Sequence, residues 1–293
     1  MKNIVCFGEV LWDVFPDEKK IGGAPLNVAV RLQSLGNNVS IISSVGNDLD
    51  GKNILDFVAK AQVNSQEIQT HLSEQTGSVT VNLDTEGSAS YEIDHPRAWD
   101  KIQLTEGNQQ MVKRADAFVY GSLSARDQVS KNTLTTLLQL APYKIFDVNL
   151  RKPYYSFALL NKLMQEADFI KFNDDEILEI AAYYKTTNNS IEEAIDCIVK
   201  ETNTATICVT QGSKGAVLYS DGKLYSNSGY AITVVDTVGA GDSFLATLVD
   251  QLLKETDPQN AIDLACAMGA LVASHKGATP KINQQEIDAL MQS

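Results

Sequence analysis

The period of the apolar positions changes repeatedly along the chain. Residues 3–10, NIVCFGEV, form a short β-branched run closed by glycine, which predicts a buried strand. From Pro25 the apolar positions Val28, Leu32 and Leu35 fall at i, i+4 and i+7, and Gly36 follows as a stop signal. That spacing predicts an amphipathic helix over 25–35. VSIISSVG then reads as a strand and GKNILDFVAKA as a helix, and DAFVYGS, YKIFDVN, DFIKFN and TICVTQG read as further short buried strands with helical segments between them. Such alternation predicts an α/β fold, a central and mostly parallel sheet flanked by helices, with ligands at the carboxyl ends of the strands. One stretch breaks the rhythm. Residues 78–94, SVTVNLDTEGSASYEID, alternate with period two around a DTEG turn, which predicts a hairpin. The hairpin is expected to form a small β lid with LWDVFPD as a neighbouring extended piece. No repeat, low-complexity tract or Pro/Gly/Ser-rich linker interrupts the chain, so one domain over 1–293 is expected, its lid built from about 11–22 and 78–100.

Composition narrows the functional classes. The chain of 293 residues is 44% hydrophobic, enough for a sizeable core. A formal charge of −13 argues against nucleic-acid and anionic-membrane partners, although backbone amides or a bound cation can still hold an anionic ligand locally. Cys6, Cys197, Cys208 and Cys266 form no C-x-x-C pair and read as reduced thiols. MKNIVCFGEV is too short an apolar run for a signal peptide, and LACAMGALVAS too short for a membrane span. A cytoplasmic, soluble protein is the expectation.

The most informative stretch is TVVDTVGAGDSFLAT, residues 233–247. Leu245, Leu248, Val249 and Leu252 after it follow helical spacing, which sets GAGD at a predicted strand-to-helix junction. Unpaired amides at a helix start bind anions, yet Asp242 carries a negative charge into that place. Two readings fit. Asp242 is an N-cap carboxylate, or it is a base that takes the proton of an attacking alcohol while Gly239, Ala240 and Gly241 hold a phosphoryl group. A dinucleotide loop fits poorly because Phe244 stands at the third glycine position, and no G-x-x-x-x-G-K-[ST] occurs.

These residues resemble the ribokinase-like (PfkB) family of sugar kinases. GGAPLNVAVRLQSLG followed by SVG is similar to the N-terminal signature through Gly22, Gly23, Asn27, Ala29, Gly36 and Gly46, and DTVGAGDSFLAT is similar to the C-terminal one. Thr247 departs from it, standing where the family has a small glycine or alanine. The resemblance covers nearly the whole chain. It implies a ribokinase-like fold with a β lid, ATP as donor, Mg²⁺ as cation and Asp242 as the catalytic base. NDDE resembles the family's N-x-x-E motif, so that Asn173 and Glu176 would hold the magnesium–phosphate water network; read alone it is an exposed helix start. TQGSKG resembles the nucleotide loop, with Thr210, Gly212, Lys214 and Gly215 at ATP, and read alone is a hairpin turn. FDVNLR resembles a D-x-N-x-R strand end that would turn Asn149 and Arg151 to the site. The family also implies a monovalent cation, K⁺, partly held by Asp236, and a homodimer through the lid.

FGEVLWDVFPD looks most like the fructokinase branch, with Asp13 accepting hydrogen bonds from sugar hydroxyls, the reading from the residues alone being a solvated turn. Gly23 and Asn27 would press on the same sugar, and Arg97 resembles a fructokinase arginine that reaches into the cleft. An arginine there also suits a sugar acid, so 2-keto-3-deoxygluconate kinase competes, with ribokinase behind it, although Asp13 would sit badly beside a second carboxylate. A kinase-shaped binding or regulatory protein without turnover is the alternative of another class; Asp242, Gly239 and Gly241 speak against it.

Overall fold

The apolar run at the start of the chain forms β1 (Asn3–Phe7), buried from Ile4 onward. The computed structural model describes residues 1–83, 89–184 and 190–292, and the chain divides into two units, Met1–Phe118 with Ser124–Pro142, and Val119–Leu123 with Tyr143–Ser293.

In the first unit β1 is followed by β2 (Leu11–Val14), β3 (Lys19–Gly22) and helix α1 (Ala24–Ser34). The predicted helix is therefore found, with Val28 and Leu32 buried. Its stop is a left-handed glycine: Gly36 has φ +88°, and the amides of Gly36 and Asn37 return to the carbonyls of Gln33 and Leu32. That is the Schellman arrangement, which satisfies the last carbonyls of a helix. Next come β4 (Asn38–Gly46), buried from Val39 to Gly46, α2 (Leu49–Lys60) and β5 (Ile68–His71). Strands β1, β4 and β5 run parallel in that order. A second sheet takes β6 (Gly77–Leu83) and β7 (Ala89–Ile93) beside β2 and β3, in the order β3-β2-β6-β7. The β6–β7 pair is the antiparallel hairpin read from the alternation, and β2 joins it in parallel as the neighbouring extended piece. Its DTEG turn lies outside the described residues. Helices α3 (Glu106–Lys113) and α4 (Gln128–Leu138) complete the unit.

The second unit takes the end of β8 (Ala117–Gly121), then β9 (Lys144–Asp147), α5 (Phe157–Gln165), β10 (Phe169–Asn173), α6 (Asp174–Tyr183), α7 (Ile191–Thr202) and β11 (Thr206–Thr210). Strands β12 (Ala216–Ser220) and β13 (Lys223–Asn227) follow as antiparallel additions, so the order is β13-β12-β11-β10-β9-β8. Three helices close the chain: α8 (Ala240–Leu253), α9 (Pro258–Ala273) and α10 (Gln284–Met291). Strands β9, β10 and β11 are parallel, and their register sets Asp147 beside Lys171 and Asn173 beside Thr210. Chemically useful groups thus gather at the carboxyl ends of parallel strands, where open α/β sheets bind ligands.

The strand expected before GAGD is absent. Residues 228–238 form no strand, and Val234 and Val235 are each 59% exposed. The amides of Val235 and Asp236 bond instead to the carbonyl of Ala273, which ends α9. The β-branched run is used to cross a helix end, not to extend a sheet. Cys6, Cys208 and Cys266 are buried, and none of the four cysteines is in a disulfide. No helix among the described residues is long and apolar enough to cross a membrane.

Candidate active site

The GAGD turn sits at the start of α8 in the second unit, with Gly239 as N-cap and Asp242 at the third helical position. Gly239 is required twice over. Its φ of +76° is left-handed, and a side chain there would run into the backbone of Ala278. The Ala240 amide is spent on the carbonyl of Thr237 at 3.2 Å, while the amides of Gly239 and Gly241 meet no acceptor among the described residues. Of the three positions expected to hold a phosphoryl group, two therefore keep a donor for it. Asp242 is not the N-cap; it lies inside the first turn, at the positive end of a helix of fourteen residues. Thr247 is fully buried, and its hydroxyl donates to the Ser243 carbonyl at 2.8 Å, so the departure at this position leaves no unsatisfied group in the helix.

Asp236 precedes the turn and fixes it: Oδ1 accepts from the Val238 amide and Oδ2 from the Gly277 amide, each at 3.1 Å. This draws the 274–278 segment to the start of α8. Asn173 and Glu176 form a capping box on α6, each side chain accepting the other's backbone N–H at 2.8 Å. The second Glu176 oxygen accepts from the Leu150 amide at 2.8 Å, so the carboxylate also ties down the loop after β9. In that loop Asn149 holds a left-handed φ of +39°. Arg151 is exposed and donates to its neighbour's carbonyl, Leu150 O, at 2.9 Å. The TQGSKG stretch is the turn between antiparallel β11 and β12. Thr210 Oγ1 donates to the Phe172 carbonyl at 3.3 Å, Gly212 has φ +57°, Lys214 is exposed, and Gly215 at φ +84° packs directly on the backbone of Asn227 and Gly229.

Lys171, not singled out in the sequence, is a buried cation of this unit. Its Nζ donates to Asp147 Oδ1 at 3.0 Å, with the two side chains 9% and 6% exposed. Burial alone would pull its pKa down, but Asp147, Glu176 and Asp242 outweigh it and hold the ammonium well above the ordinary lysine range.

The first unit carries the residues expected at a sugar. Asp13 lies on β2 opposite Lys20 of β3, and its carboxylate rests over Gly22, where any Cβ would collide with it. Asp13 is thus part of a sheet, not a turn. Gly23, the N-cap of α1 at φ +109°, brings its backbone so close that a Cβ would stand 2.5 Å from the Glu9 carbonyl. Asn27 is buried in the first turn of the same helix. Arg97 donates through Nη2 to Asp94 at 2.6 Å and through Nη1 to Gln75, while its buried Nε meets no acceptor among the described residues.

Residues 1–285 match the family described as pfkB family carbohydrate kinase. The chain belongs to that family. Among its pfkB relatives is a probable fructokinase-5 of Arabidopsis thaliana, 28% identical over 308 residues, covering 95% of this chain and 94% of the relative. A double mutant of the fructokinase from Vibrio cholerae O395, solved with fructose, ADP and potassium ion, superposes with a TM-score of 0.85 at 26% identity, covering 99% and 98% of the two chains. An apo putative ribokinase II from E. coli, at 21% identity, shares the fold with a TM-score of 0.88 over 100% and 99% of the chains. The fold is accordingly the ribokinase-like α/β fold with its smaller β lid sheet. Of the residues that carry the resemblance, DTVGAGD shapes the start of α8, Gly22, Gly23 and Asn27 lie at the start of α1, and Gly36 and Gly46 end α1 and β4. Lys171 had no such signal: one lysine in an apolar strand gives no hint of its carboxylate until the register of β9 and β10 is known.

Proposed function

We propose that the chain is an ATP-dependent fructokinase that transfers the γ-phosphoryl group to the 6-hydroxyl of fructose, with Asp242 as general base. The observation that carries the reading is the first turn of α8, where the two acceptor-less amides of Gly239 and Gly241 accompany a carboxylate that is not the helix cap. The amides favour charge on the phosphoryl oxygens, and Asp242 accepts the proton as the sugar oxygen bonds to phosphorus and ADP leaves. ATP would lie along Thr210, Gly212, Lys214 and Gly215; exposed Gly212 leaves the backbone open to phosphate, while Gly215 seats the turn on Asn227 and Gly229. That the similar Vibrio cholerae structure holds ADP supports a nucleotide as ligand.

Mg²⁺ fits what Glu176 and Asn173 offer. Both Glu176 oxygens already accept one backbone N–H, so a cation would meet them through water and take its other ligands from phosphates, the usual Mg²⁺ habit. Bound there, it would neutralise charge on the phosphate oxygens. Asp236, with Gly277, would help hold K⁺. On the sugar, Asp13, Gly23, Asn27 and Arg97 would meet hydroxyls, with Asn149 and Arg151 contributing from the loop after β9.

Arg97 favours a neutral sugar over a sugar acid. Its charge is already balanced by Asp94, which leaves no net charge for a carboxylate. The expected result of an acceptor panel with MgATP is that kcat/KM for fructose exceeds that for ribose and for 2-keto-3-deoxygluconate; the reverse order would overturn the acceptor while leaving a kinase. Asp13→Ala removes a charged hydrogen-bonding group, an expected loss of about 1.5–3 kcal/mol, or roughly ten- to hundredfold in fructose kcat/KM, with ATP binding little changed. Unchanged fructose kinetics in that variant would place Asp13 away from the sugar.

A further inference from the structure

Lys171 is a charged residue in the middle of a buried strand, and proton transfer from the sugar leaves it without a task. The apolar residues that flank it on β10, Phe169, Ile170 and Phe172, are fully buried, so the position would suit another hydrophobe. Its ammonium has three donors and one acceptor among the described residues, Asp147 Oδ1. Burying such a pair is not by itself stabilising compared with apolar side chains of similar volume.

The location supplies a reason. A Cβ added at Gly241 would have Lys171 Nζ as its near neighbour, at 3.8 Å, so the ammonium lies directly by the GAGD turn. The groups that face it come from every surrounding element: Asp147 on β9, Glu176 on α6, Asp242 on α8 and the Cys208 thiol on β11, the last kept neutral by its burial. Asp147 is committed to the lysine itself, and Glu176 has an amide on each oxygen. Asp242 is the negative charge that shares the turn with Gly239 and Gly241, and by itself it would repel the anion those amides are arranged to receive.

We propose that Lys171 is a positioning residue for phosphate: its ammonium, fixed by Asp147, offsets the charge of Asp242 so that one helix start can hold both a base and a phosphoryl group. The proposal rests on the reading of the α8 turn as a phosphate site.

The test is equilibrium binding of MgATP, without sugar, to four proteins: wild type, Lys171→Met, Asp242→Asn and the variant carrying both. A unit charge several Å from phosphate, at an effective dielectric near 20, makes the expected loss in Lys171→Met about 10- to 100-fold in Kd. Asp242→Asn binds as tightly as wild type or tighter. In the combined variant the loss is largely relieved, because the repulsion that the lysine offsets has gone, and Lys171→Arg keeps wild-type affinity. If Lys171→Met does not fold with Asp147 left alone, Lys171→Met/Asp147→Asn leaves no lone buried charge and takes its place in the comparison. Unchanged affinity on losing the lysine, or a loss that Asp242→Asn does not relieve, would overturn the proposal. Absence of MgATP binding by the wild type would instead remove the phosphate-site reading beneath it.

Discussion

Asp242→Asn should fold normally and lose about 10² to 10⁴ in kcat on its best acceptor, equivalent to about 2.7–5.4 kcal/mol of barrier. The substitution keeps the size of the side chain and its capacity to accept hydrogen bonds, but an amide cannot take a proton at neutral pH. Its structural cost is small because Gly239, not residue 242, caps α8. The charge lost at the positive end of the helix is worth about 0.3–1 kcal/mol, and its attraction for the Lys171 ammonium goes with it. Stability and turnover therefore separate cleanly in this variant. Denaturant unfolding reads the first and steady-state kinetics the second. A folded Asp242→Asn protein with near-normal kcat would leave the carboxylate a purely structural role.

Arg126→Met should destabilise the protein by about 3–5 kcal/mol, the usual result of removing one partner of a buried ion pair. Arg126 and Asp100 have side chains 1% and 0% exposed, and the guanidinium donates to both carboxylate oxygens, at 2.7 Å through Nε and 2.8 Å through Nη2. It also stacks 3.9 Å over the Trp99 ring and donates to the Asp94 carbonyl at 2.6 Å. Methionine fills much of the volume but leaves Asp100 in a place without water. Pairing the change with Asp100→Leu removes the stranded charge, so the double variant should recover a large part of the loss. The comparison is made by urea unfolding at constant m. A single-variant loss under 1 kcal/mol would mean that Asp100 finds water or another donor.

The contrast between GAGD and Arg126 explains how much was legible in the sequence. GAGD was readable because its main constraints are local, a left-handed glycine and a helical spacing that starts at once, whereas the tight approach of Gly239 to Ala278 appears only in the fold. The same holds for α1 with its Gly36 stop and for the β6–β7 hairpin, where periodicity and turn chemistry lie within one short window. Arg126 and Asp100 are 26 residues apart, and nothing in either neighbourhood points to the other. Lys171 and Asp147, 24 residues apart, meet only through strand register. The failed strand at 233–235 has the opposite cause. Thr233, Val234 and Val235 have high β-propensity, but propensity records a fit to a half-buried pleated surface, and here the chain meets a helix end and solvent. Glu176 illustrates a third case: the N-x-x-E spacing was visible, while its bond to the Leu150 amide depends on where the β9 loop lies.

Transfer of the terminal phosphoryl group of ATP to a fructose hydroxyl, with Asp242 taking the proton, can be followed atom by atom. The most direct measurement follows isotopically labelled γ-phosphate from MgATP into sugar, with wild type and Asp242→Asn side by side. The wild type is expected to form labelled fructose 6-phosphate in amounts equal to the ADP released, and the variant at least about a hundredfold less per unit time. Label released only as inorganic phosphate, or transferred equally well by both proteins, would contradict this mechanism.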